Sequence, residues 1–416
     1  MTAPRPARRA AGWTPEEAER RLLSLELFGM RFGLDRMRRL LTALGSPQEA
    51  FASVHVVGTN GKSSTTRMIA AILGRHGLRA GSYLSPHLVS FAERVRVGDA
   101  DTAPEAFAHA VQRAAAAAAK VERTLQAGDR VTQFELLTAA AYLLLADEGV
   151  DVAVVEAGLG GRYDATNVLD SRVAVLTNVG LEHTRWLGPT VADIAREKLD
   201  VVRPGSALVA GAGLHPDALA LAEEVCAARG ARLVVASAEP GVAVHAAGEF
   251  QRRNFALART AAAAFLGDLD EEAVRAAAAA VTVPGRFQVV ADHPVTILDG
   301  AHNPGGMAAL AGALREFLAG RRLVACVSIL DDKDAAGMLR ELLPLCDEVV
   351  CTANANARAL PPATLESLCR QLGGPPARTV PDPPAALRAA RSAAGPDGVA
   401  LATGSIYLVG DLVRAR

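Results

Sequence analysis

The stretch VHVVGTNGKSSTTRMIAAIL, residues 54–73, contains the residue types of a phosphate-binding loop in an unusual spacing. Gly58 and Gly61 would let backbone N–H groups approach an anion, Lys62 supplies a cation, and Ser63 adds a hydroxyl at the start of a helical pattern. Only two residues separate the glycines, whereas the common phosphate loop has four between them. The stretch alone fits a nucleotide site or an ordinary β-turn-α connection with a capping serine.

Two further stretches place chemically capable side chains at the ends of predicted strands. Glu156 ends the apolar run DVAVVEA, and Glu182 and His183 follow the run VAVLTNV. A carboxylate at the end of a buried strand needs a partner or a metal ion. Carboxylates, hydroxyls and an imidazole around a phosphate loop can bind Mg²⁺, although each residue alone is more typical of a structural role.

The elements that must position these residues form an alternating pattern. Short β-branched runs alternate with alanine- and leucine-rich helical stretches from residue 50 to the C-terminus. This alternation predicts a doubly wound, mostly parallel sheet, whose ligands bind beyond the carboxyl ends of the strands. The predicted strands of the first part are 53–57, 151–157, 173–179, 207–211 and 232–236, and the helices are 62–76, 104–125 and 134–148.

A second run of the same kind begins near residue 287 with FQVV, VTILDG, RLVACVSIL, EVVCT and VALATGS. The Pro-Gly pair in VTVPGRFQVV, residues 281–290, marks a break between the two runs. We therefore predict a P-loop ATPase domain over residues 1–285 and a smaller, Rossmann-like α/β domain over residues 286–416.

Composition excludes several classes of protein. The 416 residues carry a formal net charge of −1, which argues against a general nucleic-acid binder. The apolar stretches are too short to span a bilayer, so no membrane partner is expected. Five cysteines without CxxC spacing fit reduced thiols in the cytoplasm. Residues 1–21 are basic at first and are predicted to be a short disordered tail.

The order of the motifs resembles the folylpolyglutamate synthase/dihydrofolate synthase branch of the Mur ligase family, from about residue 20 to residue 416. The short G-x-x-G-K loop is the normal ATP site of that family. The motifs that carry the resemblance are GTNGKSS, SYLSPHL, TQFELLTAAAYL, VVEAGLGGRYDATNV, LTNVGLEHTRWLG, IAREK, RRNFALA, VPGRFQ, LDGAHNPGGM, SILDDKD and TGSIYLVG.

The resemblance implies an ATP-dependent amide ligase. A pteroate or folate carboxylate would take the γ-phosphoryl group of ATP, and the amine of L-glutamate would attack the resulting acyl phosphate, giving ADP and phosphate. Dihydropteroate or a reduced folate, L-glutamate and ATP are the implied partners of a monomeric chain. Mg²⁺ is the implied cofactor, and the resemblance also allows a monovalent cation.

The resemblance assigns roles residue by residue. The positions implied to hold ATP are Thr59, Asn60, Gly61, Lys62, Asn254, Arg286 and Asp299. The positions implied to bind Mg²⁺ are Ser85, Glu156 and His183. Lys62, Lys198 and His302 are the implied catalytic residues, and Lys198 matches a lysine that the family carbamylates.

The pterin would contact Thr132, Gln133, Phe134 and Glu135 of TQFE and Tyr163, Asp164 and Ala165 of RYDA. Phe134 would stack on the ring, and Asp164 would accept hydrogen bonds from its N–H groups. The segment 26–47 resembles a helical segment that lies near the folate site in the family.

Three departures from the family pattern bear on the prediction. Ser63 stands where many relatives have glycine, which should not harm the site. Leu199 and Asp200 follow Lys198, and Asp200 could either pair with that lysine or point away. The stretch ANANA in residues 353–357 replaces a more basic or proline-containing one. Two alternatives remain: a Mur-type ligase for another acid and amino acid, or a nucleotide-binding regulatory protein without catalysis.

Overall fold

The computed structural model describes residues 12–25 and 33–415. Within these ranges the strands are β1 (Ala52–Val57), β2 (Ala80–Tyr83), β3 (Val95–Val97), β4 (Ala100–Asp101), β5 (Val152–Glu156), β6 (Val173–Leu176), β7 (Ala207–Ala210), β8 (Arg232–Val235), β9 (Gln288–Asp292), β10 (Val295–Leu298), β11 (Leu323–Val327), β12 (Glu348–Cys351), β13 (Ala377–Thr379) and β14 (Val399–Thr403). The helices are α1 (Pro15–Leu23), α2 (Asp35–Ala43), α3 (Lys62–Arg75), α4 (Pro104–Glu122), α5 (Gln133–Asp147), α6 (Thr184–Leu187), α7 (Val191–Leu199), α8 (Pro216–Arg229), α9 (Glu249–Leu266), α10 (Glu271–Ala280), α11 (Pro304–Leu318), α12 (Ala335–Leu342), α13 (Pro362–Gln371), α14 (Pro383–Ala394) and α15 (Ile406–Arg414).

The first sheet has eight strands in the order β4-β3-β2-β5-β1-β6-β7-β8. β1 pairs in parallel with β5 and β6, with Val54 opposite both Val154 and Val173. The β2–β3 and β3–β4 pairs are antiparallel. Strands β5, β6 and β7 are buried along their whole length because helices cover both faces of the sheet.

Alternate residues of the central strands enter two different cores. Ala153 and Val155 of β5 pack with α1, α2, α4 and α5 on one face, whereas Val152 and Val154 pack with α3, α9 and α10 on the other. This alternation is the period of two that a strand imposes on its side chains. Helices α7 and α8 complete the cover over β6 and β7.

The second sheet has six strands in the order β13-β12-β11-β14-β10-β9. Its strands are parallel except that β9 runs antiparallel to β10. Helices α11, α12 and α13 pack on one face, and α14 and α15 pack on the other. The loops after β10, β11 and β14 leave this sheet at its carboxyl edge.

The predicted α/β class with a mostly parallel first sheet is confirmed. The predicted strands and helices are present with ends that differ by up to about three residues. The second sheet begins at Gln288, and the boundary between residues 285 and 286 stays a prediction. Among the described residues, no helix combines the length and the apolar character that crossing a membrane requires.

The prediction of a disordered tail over residues 1–21 is wrong for its last part. Residues 15–21 belong to α1, where the Thr14 hydroxyl accepts a hydrogen bond from the Glu17 N–H and Glu17 accepts one from the Thr14 N–H. This reciprocal cap satisfies two backbone donors at the start of the helix. Of the segment 26–47, residues 26–32 lie outside the described residues, and α2 occupies most of the remainder.

Candidate active site

The loop between β1 and α3 depends on its two glycines. Gly58 has a φ of 149°, and a Cβ there would lie 1.8 Å from the Thr177 hydroxyl. Gly61 has a φ of 82°, and a Cβ there would lie 2.5 Å from the Asn254 side-chain oxygen. Helix α3 begins at Lys62, so its first backbone N–H groups lack helical partners and can bind an anion.

The loop after β6 holds the phosphate loop in place. The Asn60 N–H donates to the Asn178 side-chain oxygen at 2.9 Å, and the Asn178 amide donates back to the Asn60 carbonyl at 3.2 Å. The Thr177 hydroxyl donates to the same carbonyl at 2.6 Å, and the Thr59 N–H donates to the Asn178 carbonyl. Sequence reasoning missed Thr177 and Asn178, although the polar pair directly after a buried strand was the available signal.

A cleft of about 750 Å³ opens between the phosphate loop and the second sheet. The residues that the sequence assigned to ATP come from both sheets and all line this cleft, as does His302. They are Thr59, Asn60, Gly61, Lys62, Asn254, Arg286 and Asp299. The structure therefore brings together positions that are more than 200 residues apart in the chain.

Asp299 shapes the loop that follows β10. One of its carboxylate oxygens accepts from the Phe287 N–H at 2.8 Å and the other from the Ala301 N–H at 2.7 Å. Burial raises the pKa of Asp299, and the nearby Arg286 guanidinium opposes that rise. In the same loop, His302 donates from Nδ1 to the Gly300 carbonyl at 2.8 Å, which leaves its Nε2 facing the site.

Glu156 and Ser85 form the candidate metal site. The buried Glu156 carboxylate accepts from the Ser63 hydroxyl at 3.0 Å and from the Ser85 N–H at 3.1 Å. Burial raises the pKa of this carboxylate, while Lys62 opposes the rise. A buried carboxylate in contact with the Ser63 hydroxyl and with the backbone of Ser85 offers oxygen donors that suit Mg²⁺, and the ion would compensate the buried charge.

The third residue assigned to the metal, His183, lies in a neighbouring cavity of about 390 Å³. Its imidazole is 3.7 Å from the Glu182 carboxylate, and burial lowers its pKa to about 4. Within the described part of the chain, no three His, Cys, Asp or Glu side chains are grouped so that they could hold a metal ion. The structure thus joins Ser85 to Glu156, and the assignment of His183 to the metal stays a prediction.

Lys198 lies in this neighbouring cavity and is buried. Its ammonium nitrogen donates to the Gly58 carbonyl at 2.9 Å, and Lys62 donates to the same oxygen at 3.1 Å and to the Thr59 carbonyl at 3.0 Å. Burial and the charge of Lys62 lower the pKa of Lys198 to about 7. Asp200 points away from Lys198 and pairs with Arg229 at 2.8 Å, which answers the question left open by the sequence.

Three contacts join the phosphate-loop side of the cleft to the second sheet. Glu182, after β6, lies 3.1 Å from the Lys333 ammonium and 3.5 Å from His302 Nε2. Burial alone would raise the pKa of Glu182, but His302 and Lys333 hold it well below its usual range. The side-chain amides of Asn60 and Asn303 exchange hydrogen bonds of 3.1 and 3.0 Å. Sequence reasoning assigned no role to Lys333 or Asn303.

Replacing Lys333 with methionine should destabilise the closed arrangement of the cleft. The side chains of Lys333 and Glu182 are 13% and 10% exposed, so the substitution leaves a buried carboxylate without its ammonium partner. We expect the free energy of unfolding, measured by chemical denaturation, to fall by about 3 kcal/mol. Asp332→Asn is the matched control, because it breaks an exposed pair with Arg358 in the same loop and should cost less than about 1 kcal/mol. Equal losses in the two variants would contradict a buried interdomain pair.

The residues of TQFE have structural partners. Thr132 caps α5 through a reciprocal hydrogen-bond pair with Glu135, and the Glu135 carboxylate is 3.1 Å from the Arg36 guanidinium. The Gln133 side chain donates to the Leu22 carbonyl at 2.8 Å. These contacts cap α5 and tie it to the N-terminal helices, and the assignment of Thr132, Gln133 and Glu135 to a pterin stays a prediction.

Phe134, in the same motif, packs against the glycine-rich turn that follows β5. Its ring stacks on Tyr83 with centroids 6.2 Å apart, and a Cβ on Gly158 would lie 2.6 Å from it. The buried Asp164 carboxylate accepts from the Leu159 N–H at 2.8 Å and the Thr166 N–H at 3.0 Å. It organises the loop after β5, and its assignment to the pterin stays a prediction.

The two neighbours of Asp164 have different surroundings. The Tyr163 side chain is 39% exposed, and the Arg162 guanidinium lies 5.2 Å from its ring centroid. Ala165 is buried in the core formed with α4 and α5. Of the positions assigned to a pterin, Phe134 and Tyr163 remain the two with an aromatic face near the Gly158–Gly161 turn.

Comparison with known proteins identifies close relatives. Residues 56–207 match the Mur ligase middle domain, and residues 285–406 match the Mur ligase glutamate ligase domain. A dihydrofolate synthase/folylpolyglutamate synthase of Mycobacterium tuberculosis is 36% identical over 432 residues, which cover 92% of this chain and 88% of that protein.

Two solved structures show the same likeness in three dimensions. The folylpolyglutamate synthase of Mycobacterium tuberculosis, complexed with ADP and AMPPCP, superposes with a TM-score of 0.89 at 33% identity and covers 96% of this chain and 98% of that one. The bifunctional folylpolyglutamate synthase/dihydrofolate synthase of Yersinia pestis was solved in complex with AMPPNP and a Mn ion. It superposes with a TM-score of 0.86 at 30% identity, and the match covers 100% of this chain and 99% of that one.

Proposed function

This chain belongs to the Mur ligase family, in its dihydrofolate synthase/folylpolyglutamate synthase branch, and from that premise we propose how its cleft works. The enzyme is an ATP-dependent ligase that joins L-glutamate to a pteroate or folate carboxylate and releases ADP and phosphate. The observation that carries the proposal is the convergence of Lys62, Arg286, Asp299 and His302 on one cleft between the two sheets.

The reaction needs a carboxylate to become an electrophile. A carboxylate oxygen attacks the γ-phosphorus of ATP, the bond to the β-phosphate oxygen breaks, and an acyl phosphate and ADP result. The glutamate amine then attacks the acyl carbon, and the tetrahedral intermediate expels phosphate and loses a proton to give the amide. The first-turn N–H groups of α3, the Lys62 ammonium and the Arg286 guanidinium are placed to stabilise negative charge on the phosphoryl oxygens.

We propose that Ser63, Ser85 and Glu156 hold Mg²⁺. Their hydrogen-bond contact and their oxygen donors support this assignment. An ion held there would supply positive charge to offset the phosphate oxygens. His183, in the adjoining cavity, is the assigned nitrogen ligand, and its lowered pKa keeps the imidazole neutral at pH 7, as a ligand must be.

Lys198 is proposed to carry a carbamate. Carbamylation requires the neutral amine, whose lone pair attacks CO₂ to form an N–C bond and release a proton. The burial of Lys198 and its shared acceptor with Lys62 support a neutral amine, because two ammonium groups on one carbonyl repel each other. The modification would replace a buried cation with an anion beside Lys62.

Uptake of ¹³C-labelled bicarbonate should yield one carbamate carbon signal per chain in a ¹³C NMR spectrum. Because the pKa of Lys198 is lowered to about 7, the signal should weaken as the pH falls below 7 and the amine becomes protonated. Lys198→Arg should abolish the signal, whereas Lys120→Arg, on the exposed face of α4, should keep it. A signal that persists in Lys198→Arg would assign the carbamate to another residue.

We propose that the enzyme accepts both dihydropteroate and a reduced folate, as the double name of its relative in Mycobacterium tuberculosis suggests. The deciding experiment measures ADP release with L-glutamate and either dihydropteroate or tetrahydrofolate. Release with both acids is expected, and release with one acid alone would restrict the enzyme to that reaction. Release with neither acid would overturn the proposed function and favour a ligase for another acid or a non-catalytic role.

We also propose that the enzyme acts as a cytoplasmic monomer. One chain supplies both sides of the cleft, and the five cysteines are free, which suits a reducing compartment. Light scattering behind size exclusion should give the mass of one chain, 43.2 kDa, and twice that mass would contradict the proposal.

A further inference from the structure

A second cavity, of about 770 Å³, lies beside the nucleotide cleft; we refer to it as the lateral cavity. It is bounded by α3, by the loop of residues 84–93, by residues 283–286 and by α15. Ser63 and Arg286 line both the nucleotide cleft and the lateral cavity. Because the Ser63 hydroxyl donates to Glu156, the lateral cavity opens onto the proposed metal site.

The acidic side chains in the wall of the lateral cavity are already engaged. The Glu93 carboxylate accepts from the backbone N–H groups of Leu88, Val89 and Ser90 at 3.0, 3.0 and 2.8 Å. Asp101 is bound to the Arg96 guanidinium. These two carboxylates therefore hold the loop and the neighbouring strands, and their charges act on Arg67 without a direct hydrogen bond.

The histidine in the same wall adds no charge. His87 accepts a hydrogen bond at Nδ1 from the Arg94 Nε–H at 2.9 Å, and its ring lies against Phe91. Burial and the charge of Arg94 lower the pKa of His87 to about 3, so the imidazole is neutral at pH 7. The rest of the wall is largely apolar, with Leu84, Pro86, Val283 and Ile406.

Arg67 is a cation of the lateral cavity that has no direct partner among the described residues. It lies one turn after Ser63 on α3 and is half-buried, and the carboxylates of Asp101, Glu93 and Glu156 act on it without a hydrogen bond. Burial lowers its pKa to about 10, which leaves the guanidinium charged at pH 7. Within residues 12–25 and 33–415, it has no hydrogen bond or ion pair, and it does not line the nucleotide cleft, unlike Arg286.

A half-buried guanidinium without a direct partner, facing a largely apolar cavity, is placed to bind the anion of a ligand. We propose that the lateral cavity is a carboxylate site in which Arg67 binds a glutamyl unit during ligation. This inference rests on the proposed function, since that reaction supplies carboxylates of two origins: the incoming L-glutamate and the glutamyl end of a folate. The planar guanidinium can hold either carboxylate through two parallel N–H···O bonds.

The test compares Arg67→Gln and Arg67→Lys with the wild-type enzyme in steady-state ADP release. Dihydropteroate carries its reacting carboxylate but no glutamyl unit, so free glutamate is then the one source of a glutamyl carboxylate. With dihydropteroate, Arg67→Gln should raise KM for glutamate about 30-fold, because the charge-assisted hydrogen bonds are lost. Arg67→Lys should raise it about 5-fold, because lysine keeps the positive charge but cannot form two parallel hydrogen bonds. The kcat and KM for ATP should stay within about three-fold of wild type.

The second arm uses tetrahydrofolate. A rise in KM for tetrahydrofolate, with KM for glutamate and for dihydropteroate unchanged, would assign Arg67 to the glutamyl end of the folate. A rise in KM for glutamate with both acids would assign it to the incoming amino acid. KM values that all stay within three-fold of wild type, or a rise in KM for ATP alone, would overturn the carboxylate site.

Two controls separate recognition from folding. Arg75→Gln changes an exposed guanidinium on the same helix, which pairs with Asp99 at 2.9 Å, and should leave every KM unchanged. If Arg67→Gln lowers the melting temperature, Arg67→Lys becomes the deciding variant. Its KM for glutamate or for tetrahydrofolate should rise about 5-fold, and values that both stay at the wild-type level would overturn the inference. A wild-type enzyme that is inactive with every folate would instead refute the proposed function.

Discussion

Replacing Lys62 with alanine is expected to lower kcat for ADP release by about a thousandfold. The Lys62 ammonium bonds to the Gly58 and Thr59 carbonyls at the floor of the nucleotide cleft, so it is held where the phosphates would lie. Removing one preorganised donor for transition-state charge typically costs a hundred- to a thousandfold, and Lys62 carries a full charge. The measurement is steady-state ADP release with saturating folate and glutamate.

Lys120→Ala is the matched control for that experiment, because Lys120 is exposed on α4 and outside the cleft. It should turn over at the wild-type rate. If kcat of Lys62→Ala stays within about three-fold of wild type, the assignment of the ATP phosphates to this loop is wrong, whatever the change in KM.

Glu156→Gln is expected to raise the half-saturating Mg²⁺ concentration by about a hundredfold and to lower kcat. The amide keeps the size of the side chain but removes the negative charge that would face the ion between Ser63 and Ser85. Mutation of a residue that only hydrogen-bonds to a metal ligand typically lowers metal affinity ten- to a hundredfold. Because Glu156 would bind the ion directly, we expect a loss near a hundredfold. A Mg²⁺ titration of ADP release at saturating ATP measures the effect.

Glu148→Gln provides the comparison for Glu156→Gln. Glu148 lies at the surface, where it pairs with Arg79 at 2.6 Å, and its loss should leave the Mg²⁺ titration unchanged. If the titration of Glu156→Gln overlays that of wild type, Glu156 is not a metal ligand and its buried charge serves the fold of the loop alone.

The local parts of the site were predictable from the sequence because parallel strands end at one edge of a sheet. β1, β5 and β6 are neighbours, so the phosphate loop, Glu156 and the residues after β6 had to lie close together. The family resemblance predicted that Asn254, Arg286 and Asp299 would line the same cleft. No spacing in the chain dictates how the second sheet is oriented against the first.

TQFE shows where resemblance and local physics point to different roles. Threonine followed three residues later by glutamate, directly before an apolar helical run, predicts a helix cap, and the structure has that cap at Thr132 and Glu135. TPEE at residues 14–17 carries the same signal, which the basic composition of the preceding residues obscured. In both stretches the capping pattern predicts the local structure, and the assignment of TQFE to a pterin stays a prediction.

The pair of Glu182 and Lys333 could not be predicted from the sequence. The two residues are 151 positions apart and lie on loops of different sheets. A charged residue in a loop is usually solvated, and only the packing of the second sheet against the first makes this pair buried. The same holds for Arg67, whose missing partner becomes visible only once the walls of the lateral cavity are known.

The most direct test of the central claim follows the oxygen atoms of the acid. Tetrahydrofolate or dihydropteroate labelled with ¹⁸O in the reacting carboxylate is incubated with ATP, L-glutamate and the enzyme, and the phosphate released is examined by mass spectrometry. An acyl phosphate requires that one ¹⁸O atom move into each phosphate while the other remains in the amide carbonyl, with ADP as the nucleotide product. Phosphate without ¹⁸O, or formation of AMP in place of ADP, would contradict ligation through an acyl phosphate in this cleft.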